Sequence, residues 1–144
     1  MAATGRLGSR LDRQRAAWRT TPVVSTSSTT WRTIPGLSFA GSHPICATGE
    51  VSASVALNLD GAPVLVRVRM ANAAVELSLK PGRARFVPGP GETSHSYTFV
   101  GRASGFEADD RQSVRVQWRS PSGGVVTLRR GVVNVLFQRG TNCG

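Results

Sequence analysis

The stretch RQSVRVQWRSPSGGVVTLRRGVVNVLFQ, residues 111–138, decides the fold. In its first part Val114, Val116 and Trp118 alternate with Arg115, Gln117 and Arg119. Successive side chains of an extended chain point to opposite sides, so this pattern is a strand with one apolar and one polar face. Pro121, Ser122, Gly123 and Gly124 then supply turn chemistry. Residues 125–128 and 132–137 read as two further strands, with Arg129, Arg130 and Gly131 between them. The last strand is apolar at nearly every position, the pattern of a strand covered on both faces. It predicts a sandwich core or a subunit interface, with Val132, Val133, Val135, Leu136 and Phe137 as the interface residues.

The same alternation recurs upstream. Val51, Ala53, Val55, Leu57 and Leu59 share one face; Ser52, Ser54, Ala56 and Asn58 share the other. Asp60-Gly61 is a hairpin dipeptide. Val64, Val66, Val68 and Met70 return on one side, with Leu65, Arg67 and Arg69 on the other. Ala71-Asn72 turns the chain, Val75, Leu77 and Leu79 continue it, and Lys80-Pro81-Gly82 breaks it. A short strand over 84–87 precedes Pro88-Gly89-Pro90-Gly91, which fits no strand interior. His95, Tyr97 and Phe99 then alternate with Ser94, Ser96 and Thr98. Nearer the N-terminus, residues 23–30 are rich in β-branched side chains, Pro35-Gly36 reads as a turn, and Leu37 and Phe39 resume the alternation. These signals predict an all-β chain, a single jelly-roll β-sandwich of about eight to ten antiparallel strands.

The chain has 144 residues, one domain's worth. It carries 18 Lys and Arg against 8 Asp and Glu, a net charge of +10, and Lys80 is its only lysine. Arginine stays charged at any ordinary pH, so acidic partners are favoured. The arginines stand singly on strands rather than in a tract, and no zinc-finger or RNP-like pattern accompanies them. Specific base reading is not expected.

Residues 1–21 differ from the rest and are read as a basic N-terminal arm ahead of a jelly-roll domain over 22–144. Arg6, Arg10, Arg13, Arg15 and Arg19 face one acid, Asp12. Ser9 with Asp12 resembles a helix start, and Leu7, Leu11 and Trp18 fall at helical spacing. A disordered basic tail and an arm that orders by docking both fit. Trp18 favours docking, because a free tail would leave its indole exposed.

Two cysteines, Cys46 and Cys143, could close a loop of roughly a hundred residues by a disulfide worth about 4 kcal/mol, or remain two thiols. The N-terminus has no apolar h-region, so no secretory leader is expected. No apolar run is long enough for a transmembrane helix, so no membrane insertion is expected.

Catalytic signatures are missing. There is no nucleophile elbow and no P-loop. Glu107, Asp109 and Asp110 are a weak calcium candidate beside Arg111. His43 and Cys46 are only two ligands, too few for zinc. His95 reads as a partly buried structural histidine, and Trp118 as core. Trp31 is read as core too, although Arg32 and Thr33 flank it; exposed on a sandwich face it would instead suggest a sugar-binding platform. No enzyme activity, cofactor or metal is expected.

Thr-Thr-Trp-Arg-Thr-Ile-Pro-Gly-Leu-Ser (29–38), Tyr-Thr-Phe-Val (97–100), Val-Arg-Val-Gln-Trp-Arg (114–119) and Arg-Arg-Gly-Val-Val-Asn-Val-Leu (129–136) together resemble bacterial and bacteriophage jelly-roll domains of the broadly tumour-necrosis-factor and C1q type. The resemblance spans about residues 22–138 and consists of strand and turn patterns. It implies a homotrimer and roles such as phage head decoration, fibres and appendages. The expectation is a capsid-decoration protein, assembled in the bacterial cytoplasm and carried on the virion, that docks on the acidic surface of a major capsid protein. The docking residues would be Arg6, Leu7, Arg10, Leu11, Arg13, Arg15, Trp18 and Arg19. The alternative is a fibre or extracellular adhesion module that binds glycan or a cell-surface protein.

Overall fold

A computed structural model gives the structure over residues 12–19, 23–42, 50–71, 76–102 and 111–138. Ten strands are seen: β1 (Asp12–Arg19), β2 (Val24–Thr26), β3 (Arg32–Ser42), β4 (Glu50–Gly61), β5 (Val64–Ala71), β6 (Glu76–Ser78), β7 (Ala84–Phe86), β8 (Gly89–Arg102), β9 (Arg111–Arg119) and β10 (Val126–Gln138). No helix occurs among the described residues.

The strands form two antiparallel sheets. One has the order β1-β10-β4-β8, with β2 also paired to β10; the other has β3-β9-β5-β6, with β7 also paired to β5. From β2 to β5 and from β7 to β10 successive strands alternate between the sheets, and the chain's last strand lies beside its first. That is the jelly-roll arrangement. Lys80 joins the sheets at one edge: its N–H donates to the Val100 carbonyl at 2.7 Å, and Val100 N–H donates back at 3.0 Å.

The inward-facing sets predicted by alternation make the core. Val51, Ala53, Val55, Leu57 and Leu59 of β4 meet Val64, Val66, Val68 and Met70 of β5 and Val114, Val116 and Trp118 of β9, all buried. Phe99, Leu79, Val133 and Val135 complete it. Two buried apolar faces of this kind can be satisfied only by each other.

Four local readings are corrected. Residues 125–137 do not make two strands. Arg129-Arg130-Gly131 is a bulge inside the single strand β10, where the register against β4 shifts between Leu128 and Arg130. A side chain at Gly131 would crowd Leu37, Leu57 and Leu128, so glycine lets the bulge close onto the core. Pro35-Gly36 is likewise a bulge within β3, between Thr33 and Ser38, with Gly36 at φ 85°. Gly89, Pro90 and Gly91 belong to the start of β8. They are tolerated because β8 ends its sheet, where a missing N–H leaves no neighbour unpaired.

The fourth correction concerns the arm. Asp12–Arg19 is a strand, not a helix, and it pairs with β10 residue for residue from Asp12↔Gln138 to Arg19↔Gly131. A short helix has to find a surface, whereas a strand at a sheet edge satisfies its backbone at once. Arg13, Arg15, Trp18 and Arg19 therefore lie in the first sheet's edge strand. Arg6, Leu7, Arg10 and Leu11 lie outside the described residues, as do Cys46, Cys143, His43, Glu107, Asp109 and Asp110.

Candidate functional site

The outward faces of the two sheets have opposite chemistry. On the first sheet, register places residues in rows across β10, β4 and β8: Leu136–Ser52–Val100, Asn134–Ser54–Thr98 and Val132–Ala56–Ser96. None of these nine is charged. Ser54 and Thr98 hydroxyls share a hydrogen bond at 3.1 Å. Ser54, Ala56, Ser96, Thr98 and Asn134 are exposed; Val100 is 50% exposed. β1 continues the rows, with Gln14, Ala16 and Trp18 paired to Leu136, Asn134 and Val132. Charge appears in the rows that flank these three: Gln138–Glu50–Arg102 at one end, and Arg130–Asn58–Ser94 at the other, where Asn58 Nδ2 donates to Glu92 Oε2 at 2.7 Å.

Of the residues predicted for a subunit interface, Val133 and Val135 are fully buried in the core and cannot meet a partner. Val132 and Leu136 are half-buried on the charge-free face. Phe137 pairs with Val51 in β4. β10 is thus not covered on both sides within the subunit: one face packs, and the other carries Val132, Asn134 and Leu136.

The second sheet's outer face is basic. Arg67 and Arg69 of β5, Arg115 and Arg119 of β9 and Arg85 of β7 all project from it. These five cations stand against one carboxylate, Glu76. Glu76 pairs with Arg69 and, at 3.5 Å, with Arg115 Nη2. Arg67 Nε donates to Gln117 Oε1 at 2.8 Å. Trp31 lies among these side chains: the Arg67 guanidinium carbon is 4.3 Å from its ring centroid and that of Arg119 is 5.2 Å away. Arg119 Nη1 also donates to the Thr29 carbonyl at 3.3 Å. The ring's negative face accepts both cations and holds them in place. Trp31 is therefore neither core nor a bare platform.

Burial, and then the neighbouring Arg69, pull the Arg67 guanidinium below its ordinary range; Glu76 pulls the other way and Arg119 adds to the lowering. A cation whose folded pKa lies below its unfolded one costs the fold stability wherever it is charged, and that cost lifts only as pH rises through the folded value, far above neutrality. Screening is the accessible lever. From about 0.01 M to about 0.1 M salt the screening length falls from about 30 Å to about 10 Å. The melting temperature should rise by about 3 °C over that range, corresponding to roughly 1 kcal/mol of relieved repulsion. Differential scanning fluorimetry in NaCl checks this; a fall with salt would show that ion pairs dominate instead.

Beside the basic face, Pro63, Leu65, Arg83, Arg85, Pro121 and Ser122 line a shallow open cleft of about 420 Å³. His95 is half-buried, stacks on Phe86 at 5.3 Å and shares a hydrogen bond with the Thr93 hydroxyl at 2.8 Å, a structural placement. No group of three or more His, Cys, Asp or Glu gathers to hold a metal among the described residues.

Sequence reading missed both faces as units. The signal for the first lay in the uncharged outward positions of β4 and β8. Nothing local could bring Trp31 to Arg67 and Arg119, because two different strands, β5 and β9, and the segment ahead of β3 meet there.

No family model matches the chain, and no curated protein matches it. Solved structures match its fold. A segment of dimeric latent PorU from Porphyromonas gingivalis aligns with 93% of this chain at 9% identity and a TM-score of 0.55, and the match spans only 13% of PorU. A Bacillus endospore appendage protein of disulfide-linked pili aligns over 90% of both chains at 14% identity and a TM-score of 0.44. The globular domain of zebrafish complement 1qA aligns over 92% of this chain and 99% of that one at 14% identity and a TM-score of 0.43. At such identities the likeness describes the fold alone.

Proposed function

We propose that this chain is a non-enzymatic structural protein that self-associates through the charge-free face of its first sheet. In this reading it forms a homotrimer of jelly rolls and docks on the acidic surface of a larger protein assembly. A bacteriophage capsid, which it would decorate on the virion, is the assembly that its resemblance to phage jelly-roll domains implies. The observation that carries the reading is the segregation of charge. In a chain with a net charge of +10, nine outward residues in three adjacent strands bear none. Interface cores are depleted of charge, whereas solvated sheet faces carry it, as the second sheet does. Small side chains such as Ser54, Ala56 and Ser96 let two faces approach closely. Three linked subunits also turn weak docking contacts into a strong combined one.

Sedimentation velocity and native mass spectrometry of the full chain test the reading. The expected species has three times the mass of the chain at about 10 µM, in the range of ordinary specific association. A monomer that persists at about 100 µM removes self-association, and the proposal with it.

A further inference from the structure

The second sheet repeats one motif with one part missing. Arg69 and Arg115 sit opposite each other in the β5–β9 register, and the Glu76 carboxylate bridges them. Further along the same strands, Arg67 and Arg119 converge on Trp31 with no carboxylate between them among the described residues. The Nε atoms of Arg69 and Arg119 are buried without a hydrogen-bond partner. Buried donors of this kind are costly to leave unpaired. Gln117 and the Thr29 carbonyl fix how the two guanidiniums lie. Fixed guanidinium forks lose less freedom when they bind a carboxylate and can meet it through two bonds.

We propose that the Arg67–Arg119 pair, held by Trp31, binds a carboxylate from an acidic, extended segment of a partner protein. This rests on the structural reading above and identifies its docking surface. The pair lies on the outer face of a sheet, along which an extended segment can run; its carboxylate would take the place between Arg67 and Arg119 that Glu76 holds between Arg69 and Arg115. Glu76 shows in the free chain that this face coordinates carboxylate. A single-stranded nucleic acid fits less well. It would need open aromatic platforms for its bases, and Trp31, half-buried, is engaged by two cations.

The test is fluorescence-anisotropy binding of the full chain to a labelled ten-residue peptide of alternating Glu and Thr at low salt. Oligo(dT) of equal charge serves as comparison. The wild-type chain should bind the peptide more tightly than the oligonucleotide. R67Q/R119Q should weaken peptide binding about tenfold, the loss of two charge-assisted contacts. K80Q/R130Q, which removes two charges elsewhere, should change it by less than about twofold. R67K/R119K keeps the charge but not the fork, and should weaken binding by about threefold or more; it serves if the glutamine variant does not fold. Equal losses in R67Q/R119Q and K80Q/R130Q would reduce the effect to net charge and overturn the site. Tighter binding to oligo(dT) would overturn the partner class. Self-association is measured separately, so a trimer without peptide binding sinks this inference and leaves the assembly reading intact.

Discussion

Trp118→Ala is expected to remove most of the fold's stability. Trp118 is 2% exposed and lies on β9, which pairs with both β3 and β5 at the centre of its sheet. Val66 stands opposite it in β5. Truncating a buried aromatic costs about 3–5 kcal/mol, from lost transfer energy and the cavity left behind. A domain of this size has about 5–15 kcal/mol in all. Urea titration at a fixed protein concentration should show the midpoint collapsing, with a large fraction unfolded in buffer. Fixing the concentration matters because association would itself add apparent stability. Phenylalanine at the same position should recover part of the loss. A midpoint within about 1 kcal/mol of wild type would mean that the sandwich does not pack around this residue.

Ala56→Arg should abolish self-association and leave the subunit folded. Ala56 is exposed in the subunit, midway between Val132 and Ser96 in the charge-free face. A long side chain there meets no core atom, so the melting temperature of the isolated subunit should barely move. In an assembly the same guanidinium would be buried without a partner. An uncompensated buried charge costs about 3 kcal/mol or more, about a hundredfold in affinity. Sedimentation velocity should then find monomer where wild type is assembled. Ala56→Thr, uncharged and suited to a strand, should keep the assembly. If Ala56→Arg sediments like wild type, the subunits meet through some other surface.

The two expectations draw on parts of the molecule that differ in how visibly the chain announces them. Trp118 was legible as core because Val114 and Val116 precede it at period two, and apolar alternation of that length has one stable solution. Val133 and Val135 show the limit. An unbroken apolar run does not say which face is inside: it allows a sandwich core or an interface, and the structure puts these two residues in the core. The bulges at Arg129–Gly131 and Pro35–Gly36 carry the same residue types as true turns. Only the partner strand decides whether the chain reverses there or continues with extra residues out of register, one in β10 and three in β3. Asp12–Arg19 has the spacing of a marginal helix. The free edge of β10, formed by the far end of the chain, makes it a strand.

The order of residues by itself determined that this chain is all-β, which side chains its long strands turn inward, and that its surface is strongly basic. These follow from alternation and composition, which are local. Tertiary structure alone decided where the charge lies. Register across three strands gathers the uncharged outward positions of β4, β8 and β10 into one face, and the arginines of β5, β7 and β9 onto the other around Trp31. The physical reason is that a strand fixes only up and down for its own side chains. Which strands lie side by side, and so which residues share a surface, is set by long-range pairing and by the burial of two apolar faces against each other.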